Sequence, residues 1–165
     1  MKIIETRLTE KEFVNACMVL LYKKPIAWLF PVIGVIFLLS TLLNFMAPGA
    51  QSNYLTPVLF AIIFTGMLPL MTYLKAKKTY NAPNSRVKEK IQYEFQDTQF
   101  SIRGESFNAQ LSWDKILKVT TTKKWLFIWQ NSQHANAIPR KDVWEGELLK
   151  LREILEANKV KYKIQ

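Results

Sequence analysis

The sequence predicts an α+β membrane protein, in which a two-helix transmembrane hairpin is joined to a cytoplasmic antiparallel sheet or partial barrel with a C-terminal helix. About fifty residues, from Pro25 to Leu74, contain no Asp, Glu, Lys or Arg. After Lys90 apolar residues recur at every second position, as in strands, and the last segment returns to helical spacing. We therefore divide the chain into an N-terminal strand and amphipathic helix (1–24), the hairpin (25–74), a basic linker (75–90) and a sheet-forming domain (91–165).

The uncharged stretch is long enough for two membrane helices. A bilayer core is roughly 30 Å thick and takes about 20 apolar residues per helix. Segment 47–53 interrupts the stretch with proline, glycine and polar residues. We predict spans over 26–46 and 54–74, with 47–53 outside the cell. Three small residues are expected to let the two backbones approach closely, namely Gly34, Ala61 and Gly66.

Basic residues crowd both ends of the hairpin, in a chain whose net charge is +10. Lys and Arg accumulate on the cytoplasmic side of membrane proteins, so both termini are predicted to be cytoplasmic. Setting this topology is the simplest role of these residues, and contact with anionic lipid headgroups is the alternative functional role. The candidate lipid-contact residues are Lys23, Lys24, Lys75, Lys77, Lys78, Arg86, Lys88 and Lys90.

The residues before the hairpin predict a strand followed by a short helix. Lys2–Leu8 alternates like a strand, and Thr9 with Glu12 forms a capping box. The apolar positions that follow recur at helical spacing. This helix could lie along the inner membrane interface or run straight into the membrane. Cys17, the only cysteine, is interpreted as a small packed residue rather than a nucleophile.

Five or six short strands are predicted between residues 91 and 139. Turns are expected at Asp97-Thr98, at Arg103–Ser106, at Thr122–Lys124 and at Gln130–Gln133. The segment Trp125–Trp129 is apolar on both faces and is therefore predicted to be central or covered. Strands at this spacing indicate a small antiparallel sheet or partial barrel.

The tail is predicted to be an amphipathic helix. Asp142 is the expected N-cap, and Asn158 is expected to end the helix. A helix that follows an antiparallel sheet most simply packs on an open end or face of it. This is the outline of a pleckstrin-homology-like (PH-like) domain, in which Trp113 and Trp144 are expected to be core residues.

Several segments resemble the YcxB-like proteins, a bacterial family. The segments that carry the resemblance are Leu111–Val119, Trp125–Trp129, Ala137–Lys141 and the N-terminal Thr9–Phe13. The resemblance implies two membrane spans and a C-terminal PH-like domain, and we infer a bacterial inner-membrane location. It brings no established activity. If the fold is PH-like, we expect strand Lys2–Leu8 to join the same sheet across the hairpin.

The residue pattern argues against catalysis and against nucleic-acid binding. His134 is the only histidine and falls in a predicted turn, and no metal-ligand spacing or phosphate-binding loop is found, so we predict no enzyme and no cofactor. Lys115, Lys118, Lys123 and Lys124 beside Trp125 could contact nucleic acid, but they could equally face the acidic inner leaflet.

We therefore expect a non-enzymatic inner-membrane protein that presents a cytoplasmic interaction module. Its role would be regulatory, through an unidentified protein partner or anionic lipid, since strand edges and loops of such modules serve as contact surfaces. The alternative is an immunity protein that neutralises a membrane-active toxin or a secreted effector. Whether the chain forms a homo-oligomer stays open.

Overall fold

The computed structural model describes residues 3–46 and 54–164, so the predicted outer loop 47–53 lies outside the described residues. The chain divides into two compact units, one formed by Glu10–Pro83 and the other by Met1–Thr9 together with Asn84–Gln165. The first is helical and the second combines two sheets with a helix. The predicted α+β class is thereby confirmed.

Three helices form the helical unit, namely α1 (Glu10–Tyr22), α2 (Ile26–Met46) and α3 (Leu55–Asn81). Helix α2 has the predicted bounds, but α3 continues beyond residue 74, so the first part of the predicted basic linker is helical. Three of the seven residues 75–81 are Lys and one is Ala, and both residue types are good helix formers. Ala82 then adopts an extended ψ of 143°, as expected for a residue before proline. Pro83 therefore ends the helix.

Helices α2 and α3 pack together where small residues face each other. A Cβ atom on Gly34 would crowd the Thr65 hydroxyl and lie 3.1 Å from the Ala61 carbonyl oxygen, so the two backbones meet closely at this point. Phe37 stacks on Phe60 with 5.4 Å between ring centroids. The predictions for Gly34 and Ala61 are confirmed. The one for Gly66 is wrong, because a Cβ there would have no atom within 4 Å.

Helix α1 packs against the end of α3. The Phe13 and Tyr80 rings lie 6.2 Å apart, and the Glu10 carboxylate accepts a hydrogen bond of 3.1 Å from the Asn81 side chain. The start of α1 thus lies beside the end of α3, and the chain leads through a short break into α2. The two placements that the sequence left open for α1, along the inner membrane interface or straight into the membrane, both stay predictions.

The second unit contains two four-stranded sheets, whereas the sequence predicted a single sheet. The first sheet is antiparallel and ordered β1-β2-β3-β4, and the second is ordered β7-β6-β5-β8 with β8 parallel to β5. Their bounds are β1 (Ile4–Thr6), β2 (Ile91–Phe95), β3 (Gln99–Arg103), β4 (Asn108–Ser112), β5 (Lys118–Thr121), β6 (Trp125–Trp129), β7 (Ala135–Pro139) and β8 (Lys161–Lys163). Strand β6 is fully buried between two neighbours, as predicted.

The N-terminal strand completes the first sheet, which confirms the expectation that it joins the domain. Ile4 pairs with Tyr93, and Thr6 pairs with Ile91. The Thr6 hydroxyl also donates a 2.6 Å hydrogen bond to the Asp142 carboxylate. One folded unit is therefore assembled from segments that precede and follow the helical unit in the sequence.

The core lies between the sheets and helix α4 (Glu145–Ala157). Trp113 is a core residue as predicted, 1% exposed, and its indole N–H donates to the Gln96 carbonyl at 2.8 Å. The largest fully buried apolar side chains share this core, except for Phe127 on the other face of β6; those in the core are Ile4, Phe95, Phe100, Trp113, Leu126, Ile128, Ile138, Leu151, Leu155 and Val119.

Two predictions at the start of α4 are wrong. Trp144 is 77% exposed rather than buried, because it precedes the helix with extended backbone angles and so does not follow the helical spacing. Asp142 is not the N-cap, since its carboxylate is engaged by Thr6. Instead the Glu147 carboxylate accepts the Trp144 N–H at 3.1 Å. Asn158 ends the helix as predicted, and its side chain donates to the Ile154 carbonyl.

The buried position of Ile4 gives a test of the N-terminal strand. Ile4→Ala is expected to lower the free energy of unfolding of the sheet unit by about 2–5 kcal/mol, the usual loss when a core isoleucine is truncated. Ile3→Ala is the matched control, because Ile3 is 46% exposed, and it should change little. Thermal unfolding of the full chain in detergent measures both. Equal behaviour of the two variants would contradict the role of β1.

Candidate membrane-surface site

The predicted lipid-contact residues fall into both units. Lys23, Lys24, Lys75, Lys77 and Lys78 belong to the helical unit, and the other three, Arg86, Lys88 and Lys90, belong to the sheet unit.

The five lysines of the helical unit lie at one end of the helix pair. Phe45 and Tyr54 meet at the opposite end, with 6.0 Å between ring centroids, so α2 and α3 are antiparallel. Lys23 and Lys24 immediately precede α2, while the other three occupy the last turns of α3. The structure therefore brings together lysines that are some fifty residues apart in sequence.

Only part of this lysine group is neutralised by nearby carboxylates. The Lys77 ammonium lies 3.9 Å from the Glu10 carboxylate, and both side chains are about half exposed. In residues 3–46 and 54–164, no carboxylate lies within 4.0 Å of Lys24, Lys75 or Lys78. These ammonium groups are available to attract anions, such as lipid phosphates, at the end of the helix pair.

In the sheet unit, the predicted residues are tied into the fold. Lys90 forms an ion pair with Glu5, and Gln92 donates to the same carboxylate at 2.8 Å. The Lys90 ammonium and the Gln92 amide hold the pKa of Glu5 below its ordinary value. The Arg86 guanidinium lies 5.7 Å from the centroid of the Phe107 ring. The Lys88 carbonyl accepts a hydrogen bond from the Arg7 side chain at 3.1 Å.

Glu89 anchors the β3–β4 turn to this basic segment. Its carboxylate accepts the Ser106 hydroxyl at 2.5 Å and the Ser106 N–H at 2.8 Å. Both hydrogen bonds lower the pKa of Glu89, and the bond from the hydroxyl makes the larger contribution. Gly104 leaves room for these side chains in the same turn, because a Cβ there would lie 2.7 Å from a Glu89 carboxylate oxygen and crowd the Phe107 ring.

In the structure, the four lysines that could contact nucleic acid do not form a patch around an exposed Trp125. Trp125 is only 3% exposed, so its ring is not a platform for stacking bases. Lys123 and Lys124 lie in the β5–β6 turn, and Lys118 is at the other end of β5. Lys115 is paired with the neighbouring Asp114 at 3.5 Å.

A different basic group escaped the sequence analysis. Lys118 lies in β5, and Lys161 and Lys163 lie in β8, directly beside it. The alternation in Lys161-Tyr162-Lys163 is a strand signal, but it is only three residues long and follows a helix, so it was not recognised.

Groups with catalytic potential are scattered. Within the described residues, no cluster of three His, Cys, Asp or Glu side chains could hold a metal ion. His134 is exposed in the loop between β6 and β7. Burial raises the pKa of the Cys17 thiol, which makes the reactive thiolate scarcer.

Comparison with known proteins gives one match. Residues 95–155 match the family model of YcxB-like proteins, which confirms the resemblance over this part of the chain. The matched segment extends from the end of β2 to near the end of α4. Neither the curated proteins nor the solved structures contain a match to this chain.

The Glu89 contacts predict a pH dependence. Because the pKa of Glu89 is lowered by folding, its contribution to stability is present above the ordinary value of 4.5 and is lost as the pH falls through the lower pKa of the folded state. Ser106→Ala should raise the pKa of Glu89 towards 4.5, although the Ser106 N–H still donates. Carbon NMR of the carboxyl group during a pH titration measures the shift.

Ser112→Ala is the control for this titration, since Ser112 is an exposed serine in the neighbouring strand. It should leave the pKa of Glu89 unchanged. A Ser106→Ala variant with an unchanged pKa would show that the hydroxyl contact is not formed.

Proposed function

We propose that this chain, YcxB-like over residues 95–155, is a non-enzymatic integral protein of the bacterial inner membrane with a PH-like interaction module in the cytoplasm. Its role is regulatory, through a protein partner or anionic lipid. The observation that carries the proposal is the pairing of β1 with β2. These strands precede and follow the two apolar helices, so both ends of the helix pair must emerge on the same side of the membrane.

The helix pair has the length and surface of a membrane hairpin. Helices α2 and α3 contain 21 and 27 residues, and at about 1.5 Å per residue each can cross a bilayer core of roughly 30 Å. Only 11% and 6% of their most apolar segments are buried within the protein. In water, this much exposed apolar surface would drive aggregation, whereas in lipid it is solvated.

Charge supports the cytoplasm as the shared side. The lysines at the end of the helix pair all lie at the end where α1 and the sheet unit are attached. Lys and Arg near span ends are retained in the cytoplasm. This orientation puts both termini and the sheet unit in the cytoplasm, and the segment 47–53 outside.

An exposed tryptophan supports a protein partner. Trp144 is 77% exposed and borders a groove of about 580 Å³ between the β1 segment and the start of α4. Ile3 and Val143 form an apolar wall of the groove, and Lys141 also lines the groove. Tryptophan is enriched among the residues that dominate protein interfaces. The groove is thus the best supported protein contact surface of the sheet unit.

Cysteine labelling tests the topology. In a Cys17→Ser background, Ala50→Cys should react with a membrane-impermeant maleimide in intact spheroplasts. Ser132→Cys, placed in the exposed loop between β6 and β7, should react only after the membrane is permeabilised. Labelling of both sites in intact spheroplasts, or the reverse pattern, would refute the proposed orientation.

Co-purification tests the interaction role. The full chain in mild detergent is expected to retain a defined partner, and Trp144→Ser should reduce that partner several-fold by quantitative mass spectrometry. Leu149→Ser is the matched control, because Leu149 is 63% exposed but does not line the groove. Equal recovery with both variants would exclude the groove as the contact. If the partner is a toxin or a secreted effector, the proposed role changes from a regulatory protein to an immunity protein.

A further inference from the structure

We propose that the outer face of the β5–β8 pair binds the phosphate headgroups of anionic phospholipids through Lys118, Lys161 and Lys163. None of these three lysines is among the lipid-contact residues that the sequence predicted. The inference rests on the proposed function, because it requires the sheet unit to lie on the side of the membrane where anionic lipid is exposed.

The strand register puts the three lysines on one face. Lys118 pairs with Lys161, and Val119 with Tyr162. Val119 and Tyr162 pack against the core, and successive side chains in a strand point to opposite faces. The three lysines therefore point away from the core, and all are exposed.

The backbone positions of the three lysines are close together. Adjacent strands are about 4.8 Å apart and alternate residues of a strand about 7 Å apart. Like charges directly opposite each other in a sheet are destabilising. Among the described residues, no carboxylate lies within 4.0 Å of any of the three, whereas Lys77, Lys90 and Lys115 each have such a neighbour. An external anion would relieve this repulsion.

Lys118 is held in place by an aromatic ring. Its ammonium lies 5.2 Å from the centroid of the Trp129 ring, a favourable cation–π geometry. The Trp129 indole N–H donates to the Thr120 hydroxyl at 3.0 Å, which fixes the ring. Lysines on an edge strand also prevent edge-to-edge aggregation. That accounts for Lys161 and Lys163, but Lys118 lies on an interior strand of the sheet.

The short connections of the chain favour a lipid surface as the occupant. Helix α3 ends at Asn81, and the helical turn Arg86–Lys88 of the sheet unit follows after four residues. Four extended residues span at most about 14 Å, so the sheet unit is tethered near the end of an apolar helix. The attraction between lysines and anionic headgroups decays over about 8 Å at physiological salt. Anionic headgroups are therefore the anions near which the chain keeps this unit covalently tethered.

Hydrogen exchange of the full chain in nanodiscs tests the inference. The amides of residues 161–163 should exchange several-fold more slowly in discs that contain phosphatidylglycerol than in discs of phosphatidylcholine alone. High salt should abolish this difference. The variant Lys118→Gln/Lys161→Gln/Lys163→Gln should lose the slowing. The matched control, Lys123→Gln/Lys124→Gln/Lys150→Gln, removes the same charge elsewhere and should retain it.

Four outcomes would overturn the inference. The first is equal exchange in both discs, and the second is slowing that persists in the Lys118/Lys161/Lys163 variant. The third is protection by a polyglutamate peptide in neutral discs without protection by phosphatidylglycerol, which would assign the face to an acidic protein. The fourth is equal protection by inorganic phosphate alone. None of these outcomes alters the cysteine-labelling result. The proposed membrane topology is therefore tested independently of this inference.

Discussion

The pairing of β1 with β2 is the constraint on which the rest of the structure depends. Glu5 and Gln92 face each other in this pair, although 87 residues separate them in the sequence. Ile4 contributes a buried side chain to the common core, and Thr6 reaches across to Asp142. Closing so long a loop has an entropic cost. The antiparallel helix pair reduces this cost, because a preformed helical hairpin already brings the two ends of the intervening segment to the same end of the pair.

The basic residues serve different purposes in the two units. In the segment Arg86–Lys90, a carboxylate pairs with Lys90 and an aromatic ring contacts Arg86. At the end of the helix pair, several ammonium groups have no carboxylate within reach among the described residues. A run of positive charge in the sequence therefore combines structural cations with cations that are available for an external anion.

The sequence correctly predicted those elements whose local residue pattern is compatible with only one structure. Helix α2 has the expected bounds because uncharged residues fill it, while Lys24-Pro25 precedes it and Ala47-Pro48-Gly49 follows it in the sequence. The apolar segment Trp125–Trp129 is central because neither of its faces suits water. Asn158 ends α4 as expected, since its amide can bond the last carbonyl groups of the helix.

Other features depend on contacts that no local pattern encodes. Trp144 fits the apolar spacing of α4, yet the helix begins one residue later and leaves the indole exposed. Asp142 has the chemistry of an N-cap, but Thr6, which is distant in sequence, engages it. Strand β8 carries two lysines and is held by its pairing with β5. Gly66 is a glycine in an apolar helix, as Gly34 is. It differs in that it faces away from the helix contact, where an added Cβ would meet no atom within 4 Å.

The position of β1 ahead of both apolar helices in the sequence also constrains the order of events during synthesis. This strand is made before the helices, and its partner β2 is made only after both of them. The first sheet therefore cannot be completed until both helices have been synthesised. Until then the edge of β1 that pairs with β2 stays unpaired, and an unpaired strand edge can pair with other chains.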